Sequence, residues 1–262
     1  PENRISRMQE LQLTTYGENV SSFGQDTSFD SCQKLVKQSF VDKELTDQIN
    51  IISANSINLA RLLPQCLYYF YSYGQLVKKY GRDIDNKLVF VVPCGNCGNL
   101  VGGLIAKRMG LPVKHFIAAQ NDNDTLVRFL NTSEYLPKDT VKTISNAMDV
   151  GDPSNLKRIR FMYNDNIDEI RKDIKGIYIS EEETKKGILE MYQQYKYVID
   201  PHTSVAYCGY QKLKKDNAKT TLQEQVVFVS TAHPVKFGEL IESVLPIKLD
   251  VHPNLEVLKQ KV

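Results

Sequence analysis

Features that mark several protein classes are absent from this sequence or scarce in it. The 33 Lys and Arg residues nearly balance the 31 Asp and Glu residues, so the formal net charge of +2 gives no basic surface for nucleic acid. No apolar run is long enough to cross a bilayer, which argues against a membrane-spanning helix. We therefore predict neither a nucleic-acid partner nor a membrane partner.

Metal ligands are also scarce. The four histidines are scattered, and the five cysteines contain one C-x-x-C pair, Cys94 and Cys97. Zinc would need two more ligands, which neither a second C-x-x-C nor a nearby histidine pair supplies, so we predict no metal site. An odd number of widely spread cysteines is typical of free thiols in a reducing cytosol, which predicts a cytoplasmic protein.

The most informative stretch is a Gly/Asn loop between a predicted strand and a predicted helix. The β-branched run Leu88–Val92 leads into Pro-Cys-Gly-Asn-Cys-Gly-Asn, and a helical pattern follows from Val101 to Met109, with Gly110 as its stop. Glycines let backbone N–H groups turn toward a ligand, and a helix N-terminus adds positive partial charge. The turn suits a phosphate, although it matches neither of the two common nucleotide-binding glycine motifs.

One unit recurs along the chain: an apolar run, a short polar loop and an amphipathic stretch. Five such units predict an α/β fold with a mainly parallel sheet and flanking helices, in which ligands bind beyond the carboxyl ends of the strands. The apolar runs are Ile49–Ile52, Leu88–Val92, Lys114–Ala119, Tyr197–Asp200 and Val226–Val229. The helices that follow them are predicted at about 59–80, 101–109, 125–131, 201–214 and after Pro234.

Two regions fall outside these units. Near the start, the pattern predicts strands at Leu11–Thr15 and Asn19–Ser22 and a helix near Asp30–Gln38. Between residues 149 and 196 the chain is predicted to be mostly helical and surface-like, with a capping box at Ser180–Glu183 and no assigned chemistry.

The loops together resemble those of threonine synthases of the group that carries a Gly-Asn-x-Gly-Asn loop. Each matching string is weak alone, but their joint order is specific and runs almost from end to end. The strings include Arg4-Ile5-Ser6, Gln12-Leu13-Thr14-Thr15, Phe29-Asp30-Ser31-Cys32-Gln33, Asn55-Ser56-Ile57-Asn58-Leu59-Ala60-Arg61, Gly95–Asn99, Ala147-Met148-Asp149, Pro153-Ser154-Asn155, Pro201-His202-Thr203 and Ser230-Thr231-Ala232-His233-Pro234.

The resemblance implies a fold-type II enzyme, like the tryptophan synthase β chain. It implies pyridoxal 5′-phosphate as the cofactor and O-phospho-L-homoserine as the small-molecule substrate, converted with water to L-threonine and phosphate. The cofactor would act as the electron sink while protein groups hold and tune it.

The resemblance also implies site residues. The loop would cradle the cofactor phosphate. Thr231, with Ser230 as the second candidate, would face the pyridine nitrogen, and a hydroxyl there would leave it largely unprotonated. Arg61 would bind the phosphate or carboxylate of the substrate bidentately, or else be a solvated helix residue or part of a structural ion pair. His202 equally suits bracing the following helix. The implied cofactor-binding residues are Gly95, Asn96, Cys97, Gly98, Asn99, Thr231 and Ser230. The implied substrate-binding residues are Asn55, Ser56, Asn58, Arg61, Asn155 and His202.

The chain departs from the family pattern in two ways. Cys94 and Cys97 stand where the family usually has a hydroxyl residue and an aromatic one, which leaves backbone contacts intact but removes a hydroxyl at position 94. The family's Schiff-base lysine lies upstream of the matched region in a Phe-Lys-Asp string, and this chain contains no Phe-Lys pair; Lys236 belongs to a different motif.

These departures lead to expectations for the chain itself. We interpret it as the C-terminal portion of a threonine synthase, with no catalytic residue, weak or absent cofactor binding and no turnover alone. Residues 1–50 are predicted as a remnant of the smaller domain, and residues 51–262 as most of the larger, cofactor-binding domain. A sheet edge and apolar surface exposed by truncation would favour self-association.

Three alternatives stay open. An enzyme of the same fold that catalyses β-replacement or dehydration is disfavoured by the Asn-Ser-Ile-Asn-x-x-Arg and Thr-Ala-His-Pro strings. A relative that lacks the lysine would bind phosphorylated ligands or a partner without catalysis. A C-x-x-C redox protein is the most distant of the three.

Overall fold

The computed structural model describes residues 5, 7–25, 27, 29–216, 224–250 and 253–259. Two positions singled out in the sequence, Arg4 and Ser6, lie outside the described residues, as does one of the four histidines, His252. Within these ranges, no helix is both long enough and apolar enough to cross a membrane.

A four-stranded parallel sheet forms the centre of the fold. Its strands are β1 (Leu88–Pro93), β2 (Val113–Gln120), β3 (Ile174–Tyr178) and β4 (Gln225–Phe228). They lie in the order β3-β2-β1-β4, and each neighbouring pair is parallel. The Gly/Asn loop therefore leaves the sheet from an interior strand. The predicted α/β class with a mainly parallel sheet is confirmed.

Helices cover the sheet and extend beyond it. Those of the described residues are α1 (Arg7–Thr14), α2 (Phe29–Val41), α3 (Lys43–Thr46), α4 (Cys66–Tyr80), α5 (Gly98–Arg108), α6 (Thr125–Thr132), α7 (Leu156–Met162), α8 (Ile167–Asp173), α9 (Glu181–Tyr195), α10 (Pro201–Asp216), α11 (Gly238–Val244) and α12 (Pro253–Lys259). Two short 3-10 turns, Leu59–Arg61 and Leu63–Gln65, precede α4, so the helix predicted from residue 59 begins as tighter turns. The capping box at Ser180 is confirmed.

Alternate residues of β1 face two different apolar layers. Phe90 faces the first layer, where the ring of Tyr69 from α4 packs edge-on with its centroid 4.8 Å away. Val91 faces the second layer, against Ala206 of α10. Because helices cover both faces of the sheet, every position in β1 is buried, which explains why its sequence is continuously apolar rather than alternating.

Two of the five predicted apolar runs are not strands. Ile49–Ile52 is irregular, and its two outer isoleucines are exposed. Tyr197–Asp200 is an irregular connection into α10, and Asp200 is buried there because its side chain caps that helix. A short apolar run is compatible with either a strand or a buried connection, and here no neighbouring strand pairs with these segments in the described sheet.

Two regional predictions are also wrong. The strand predicted at Leu11–Thr15 is part of α1, and Asn19–Ser22 is irregular. The region 149–196 is not mainly surface, because it contributes strand β3 and buried residues such as Ile170. The helix near Asp30–Gln38 is confirmed as α2. The domain division at residue 50 stays a prediction.

Candidate functional site

The loop after β1 turns sharply into α5. Cys97, directly before the helix, has φ +60°, in the left-handed region. Gly95 packs so closely on a neighbouring turn that a Cβ atom there would lie 2.7 Å from Cα of Met148. Nδ2 of Asn99 donates a hydrogen bond to the carbonyl of Pro93 over 2.8 Å. The loop is therefore fixed by backbone contacts at both ends.

Within the described part of the chain, five consecutive backbone N–H groups of this loop have no acceptor. They are those of Gly95, Asn96, Cys97, Gly98 and Asn99. Pairing resumes at Leu100, whose N–H donates to Oδ1 of Asn99 over 2.9 Å. Unpaired N–H groups at a helix N-terminus need a ligand or water as acceptor, and the helix dipole favours an anion there.

Ser56 joins this loop to two other segments. Its Oγ accepts hydrogen bonds from Nδ2 of Asn96 at 2.9 Å and from Nδ2 of Asn155 at 3.1 Å. Because both lone pairs of Ser56 are used, its hydroxyl proton is left for a further acceptor. Its Cβ lies 3.4 Å from the position that a Cβ on Gly98 would take, beside the N-terminus of α5. Ser56 thus adds a side-chain donor to the backbone donors of the loop.

Arg158 on α7 holds the segment that carries Ser56. Its guanidinium donates to the carbonyl of Ser56 over 2.8 Å, to the carbonyl of Ile57 over 2.6 Å, and to Oδ1 of Asn155. Asn155 is fully buried, and both ends of its amide are hydrogen-bonded to protein groups. These contacts make Asn155 a positioning residue, and its predicted contact with substrate stays a prediction.

The other predicted substrate residues divide into two kinds. Asn55 and Asn58 shape the local backbone: Oδ1 of Asn55 accepts from the N–H of Ile57 over 2.8 Å, and Oδ1 of Asn58 caps the 3-10 turn at Ala60 over 3.0 Å. Arg61 is exposed, and its guanidinium has no hydrogen-bond or ion-pair partner within the described residues. Of this group, Arg61 is the side chain that is available to an oxyanion.

The two predicted hydroxyls after β4 lie next to the loop. Phe228 pairs with Val91, and the N–H of Val229 donates to the carbonyl of Val91 over 2.9 Å, so Ser230 and Thr231 follow at the carboxyl edge beside the end of β1. Both residues are exposed. Oγ of Ser230 lies 3.0 Å from Oγ1 of Thr203, near the start of α10.

His202 is buried, and both of its ring nitrogens are bonded to the protein. Its Nδ1 lies 2.7 Å from Oδ1 of Asp200, and its Nε2 accepts a hydrogen bond from the backbone N–H of Ala147 over 3.2 Å. A nitrogen that accepts an N–H carries no proton, so the ring is the neutral tautomer with its proton on Nδ1. Ala147 and Met148 pack on Gly95, so His202 braces the Gly95–Asn99 loop rather than offering a free nitrogen to a ligand.

Two nearby groups have shifted pKa values. Burial, with the neighbouring Cys97 as a second cause, raises the pKa of the Cys94 thiol well above its ordinary value, which keeps it a neutral and unreactive thiol. Burial raises the pKa of Asp149 to about 6, while hydrogen bonds from Thr143 act in the opposite direction. Among the described residues, no group of three or more His, Cys, Asp or Glu side chains is arranged to hold a metal ion.

Comparison with known proteins decides the family. A family profile described as "Pyridoxal-phosphate dependent enzyme" matches residues 2–232. The chain belongs to this family of pyridoxal-phosphate dependent enzymes. It is 43% identical over 249 residues to the threonine synthase of Buchnera aphidicola subsp. Baizongia pistaciae, a match that covers 95% of this chain and 55% of that protein.

Solved structures agree with this membership of the pyridoxal-phosphate dependent enzymes. Threonine synthase from Escherichia coli matches with a TM-score of 0.88 and 39% identity, covering 98% of this chain and 57% of that one. Pyridoxal-phosphate-bound threonine synthase from Brucella melitensis matches with a TM-score of 0.84 and 30% identity, covering 99% and 59%. The predicted fold-type II architecture is confirmed. The chain spans 55% to 59% of the lengths of these three proteins.

The donors of the site fit the family's cofactor. A phosphate group presents several acceptor oxygens and a negative charge, which is what the unpaired N–H groups at the start of α5 and the free proton of Ser56 require. The hydroxyls at 230 and 231 lie along the same sheet edge, on the strand next to β1, where a ring attached to that phosphate would need a polar partner.

Four residues of this family member's site were not predicted from the sequence: Ser154, Arg158, Asp200 and Thr203. Ser154 donates to Oδ1 of Asn96 over 3.1 Å and so fixes the orientation of that amide. Ser154 and Thr203 could have been identified from the sequence, since both lie inside strings that resemble the family. Arg158 lies one helical turn after Asn155, a spacing that places two residues on one helix face.

Proposed function

We propose that this chain carries the phosphate-binding side of a threonine synthase, which converts O-phospho-L-homoserine and water to L-threonine and phosphate. One observation carries the proposal: the five unpaired backbone donors at the start of α5, with the Ser56 hydroxyl beside them. The similarity to threonine synthases over nearly all of the chain supports this choice of reaction.

Pyridoxal phosphate supplies the electron sink of the reaction when it is bound. The N–H groups of residues 95–99 and the hydroxyl of Ser56 hold its phosphate, and Arg158 holds Ser56 in place. Ser230, with Thr231 as the neighbouring candidate, orients the pyridine ring. Arg61 binds the phosphate or carboxylate of the substrate, because it is exposed and without a partner in the described part of the chain.

We assign no catalytic lysine to this chain, because the Phe-Lys string of the resemblance does not occur in it. Covalent attachment of the cofactor is a task for a lysine ε-amine. The chain alone is therefore proposed to bind pyridoxal phosphate weakly and without a covalent link, and to catalyse no turnover.

The test is a titration of the purified 262-residue chain with pyridoxal phosphate, followed by borohydride reduction and peptide mass spectrometry. We expect weak saturable binding that inorganic phosphate competes away, and no single labelled lysine. A stoichiometric adduct at one site, for example Lys236, would place the catalytic lysine inside this chain and contradict the assignment. If neither pyridoxal phosphate nor inorganic phosphate binds, the proposed phosphate site is wrong. Binding of phosphate with no preference for the cofactor would favour the alternative of a non-catalytic phosphate-binding relative.

We also propose that the chain self-associates and works in the cytoplasm. An apolar stripe, formed by Leu59, Leu63, Leu67 and Tyr71, is exposed along the 3-10 turns and α4. Leu67 and Tyr71 are spaced by four on α4 and therefore lie on one face of that helix, so together with the exposed leucines of the preceding turns they leave apolar surface that water solvates poorly. All five cysteines are free thiols, which is consistent with a reducing compartment.

A further inference from the structure

A small cavity is enclosed by helix α2 and the segment around residue 152. Its volume is about 280 Å³, just below the roughly 300–1,000 Å³ of typical ligand pockets, so it suits a small molecule. None of its lining residues belongs to the cofactor or substrate residues described above. The lining residues are Asp30, Ser31, Gln33, Lys34, Lys37 and Asp152.

Two buried atoms of these lining residues have opposite hydrogen-bonding needs, and the protein satisfies neither. Gln33 is only 4% exposed, and its Nε2, a donor, has no hydrogen-bond partner among the described residues. Oδ1 of Asp30, an acceptor, is also buried without a partner in this part of the chain. A buried polar atom without a partner destabilises the fold, so a ligand that supplies both an acceptor and a donor is favoured here.

The carboxylate of Asp30 is held in place through its other oxygen. Oδ2 accepts hydrogen bonds from Oγ1 of Thr140 at 2.9 Å, from the N–H of Gly151 at 3.1 Å and from the N–H of Asp152 at 3.3 Å. These three donors fix the orientation of the carboxylate and leave Oδ1 for a further donor. The strongest donor to a carboxylate is a cationic one, such as an ammonium group.

The same face of α2 also offers donors to an anionic group. Asp30, Gln33, Lys34 and Lys37 are spaced by three or four residues, so they lie along one side of the helix. Both lysines are exposed, and within the described residues neither ammonium has a hydrogen-bond or ion-pair partner. The cavity therefore presents a carboxylate acceptor in the first turn of α2 and amide and ammonium donors in the turns that follow.

Ligands of a single charge fit this lining poorly. A metal ion would face the two lysines, and no group of three or more His, Cys, Asp or Glu side chains in the described part of the chain is arranged to hold one. A simple anion would face the carboxylates of Asp30 and Asp152. A molecule that carries both charges matches both kinds of lining group.

We propose that this cavity is a second ligand site, which binds a free α-amino acid with an uncharged side chain. The ammonium group of the ligand donates to Oδ1 of Asp30. Its carboxylate accepts from Nε2 of Gln33 and from the ammonium of Lys34 or Lys37. This site goes beyond the proposed function, because it shares no residue with the phosphate-binding loop and its ligand needs no cofactor.

The test is calorimetric titration of the protein expressed from its complete reading frame and freed of cofactor. The probes are L-serine, L-threonine and L-valine. The amino acid that binds most tightly is then compared with the amine that lacks its carboxylate and with the acid that lacks its ammonium. For L-serine these are ethanolamine and 3-hydroxypropionate.

Two variants alter the cavity and two serve as controls. Gln33→Leu removes the buried donor, and Asp30→Asn removes the charge of the acceptor. Gln38→Leu changes an exposed residue on the same helix, and Arg61→Ala changes the residue proposed to bind substrate. Thermal unfolding without ligand checks the fold of each variant. Gln33→Leu should be at least as stable as the wild type, because leucine leaves no donor unsatisfied.

We expect binding that requires both charges, is weakened about tenfold or more in Gln33→Leu and Asp30→Asn, and is unchanged in both controls. Equal affinity in the wild type and Gln33→Leu, or equal affinity for the amine or the acid, would overturn the inference. Binding that is lost only in Arg61→Ala would place the amino acid in the substrate site instead. If none of the three amino acids binds, the buried pair is satisfied by water or by another part of the protein, and the inference is wrong. None of these outcomes alters the proposed function, which is tested by phosphate and cofactor binding.

Discussion

The side-chain amide of Asn96 donates a hydrogen bond of 2.9 Å to the hydroxyl of Ser56, which lies 40 residues earlier in the chain. This contact brings a segment predicted to bind substrate into the loop predicted to bind the cofactor phosphate. Four of the thirteen residues singled out from the sequence, Ser56, Asn96, Gly98 and Asn155, meet at this point. Residues predicted for the two subsites therefore lie together in the fold.

Replacement of Ser56 by Ala should weaken the site and the fold together. The amides of Asn96 and Asn155 lose their shared acceptor, and a buried donor without a partner costs about 1–3 kcal/mol. We expect affinity for pyridoxal phosphate to fall about tenfold, since the variant also lacks the free hydroxyl proton. Calorimetric titration and urea unfolding measure the two effects. Ser39→Ala, at a partly exposed position on α2, is the control and should change neither.

Gly95→Ala should distort the phosphate loop. Its Cβ would lie 2.7 Å from Cα of Met148 and 3.0 Å from the carbonyl of Ala147, and backbone atoms do not move aside as a flexible side chain does. We expect a loss of about 1–3 kcal/mol of unfolding free energy and no measurable phosphate binding. Gly74→Ala is the matched control, because nothing lies within 4 Å of a Cβ there and alanine favours the helix. A Gly95→Ala protein with wild-type affinity would contradict this account of the loop.

Arg158→Lys should loosen the segment that carries Ser56 although the charge is kept. A lysine ammonium does not reproduce the planar fork that reaches two carbonyls and Oδ1 of Asn155. We expect faster amide hydrogen exchange across residues 53–61 and weaker binding of pyridoxal phosphate, with global stability reduced by less than in Ser56→Ala. Arg160→Lys, at a surface ion pair with Asp165, is the control. Equal exchange rates in the two variants would show that Arg158 does not hold this segment in place.

Stability should depend on pH through two half-buried groups that act in opposite directions. Burial raises the pKa of Asp149 from 3.8 to about 6, so the folded state holds a proton that the unfolded state has released, and this contribution is lost as the pH rises from about 4 to 6. Burial lowers the pKa of His115 from 6.5 to about 4, so its contribution is present above pH 6.5 and is lost as the pH falls toward 4.

These two contributions should nearly cancel in the wild type between pH 4 and 6. In Asp149→Asn, which keeps only the His115 contribution, the unfolding free energy should rise with pH over this window by about 1–3 kcal/mol. In His115→Gln, which keeps only the Asp149 contribution, it should fall by a similar amount. Urea unfolding at half-unit pH steps measures both slopes. The same slope in both variants would show that other groups dominate the pH dependence.

Leu67→Glu should abolish self-association. A charge in the middle of the exposed stripe on α4 opposes its contact with another apolar surface. Sedimentation velocity at rising concentration should show association in the wild type and a monomer in the variant. Val41→Glu is the control, since this exposed apolar residue lies on α2, away from the stripe. A wild-type chain that stays monomeric throughout would contradict the proposal.

The parts of the fold that the sequence could predict are those with strong local signals. The run Leu88–Val92 is continuously apolar because both of its faces are buried, and the glycines after it mark a sharp turn. The strand, the loop and helix α5 could therefore be predicted from the sequence. Strand β3 was missed because it lies at the sheet edge and contains lysine and glycine. Gly176 is required by close packing, since a Cβ atom there would lie 2.9 Å from Cδ1 of Leu130. Leu130 is distant in the sequence, so the local residue pattern gives no indication of this contact.

The candidate site was predictable to a similar extent. The unpaired backbone N–H donors of the loop could be predicted, because glycines and the start of a helix are both visible in the local sequence. The role of Arg158 depends on tertiary contacts, because two of the groups that it binds are backbone carbonyls, which look the same at every position of a sequence. For His202 both ring nitrogens are engaged with the protein, one of them by the distant Ala147, and its predicted contact with substrate stays a prediction.

The convergence of distant segments on Ser56 links occupancy of the site to folding. Asn96 and Asn155 lie 40 and 99 residues from Ser56, so the cluster exists only when the fold brings these three segments together. An anion that binds there selects the folded chain over the unfolded one, and at a hundred times its dissociation constant it adds about 2.7 kcal/mol to the unfolding free energy. In a cell, the abundance of this protein would then rise and fall with the supply of its own ligand, because an unfolded chain is degraded and a ligand-bound one is protected.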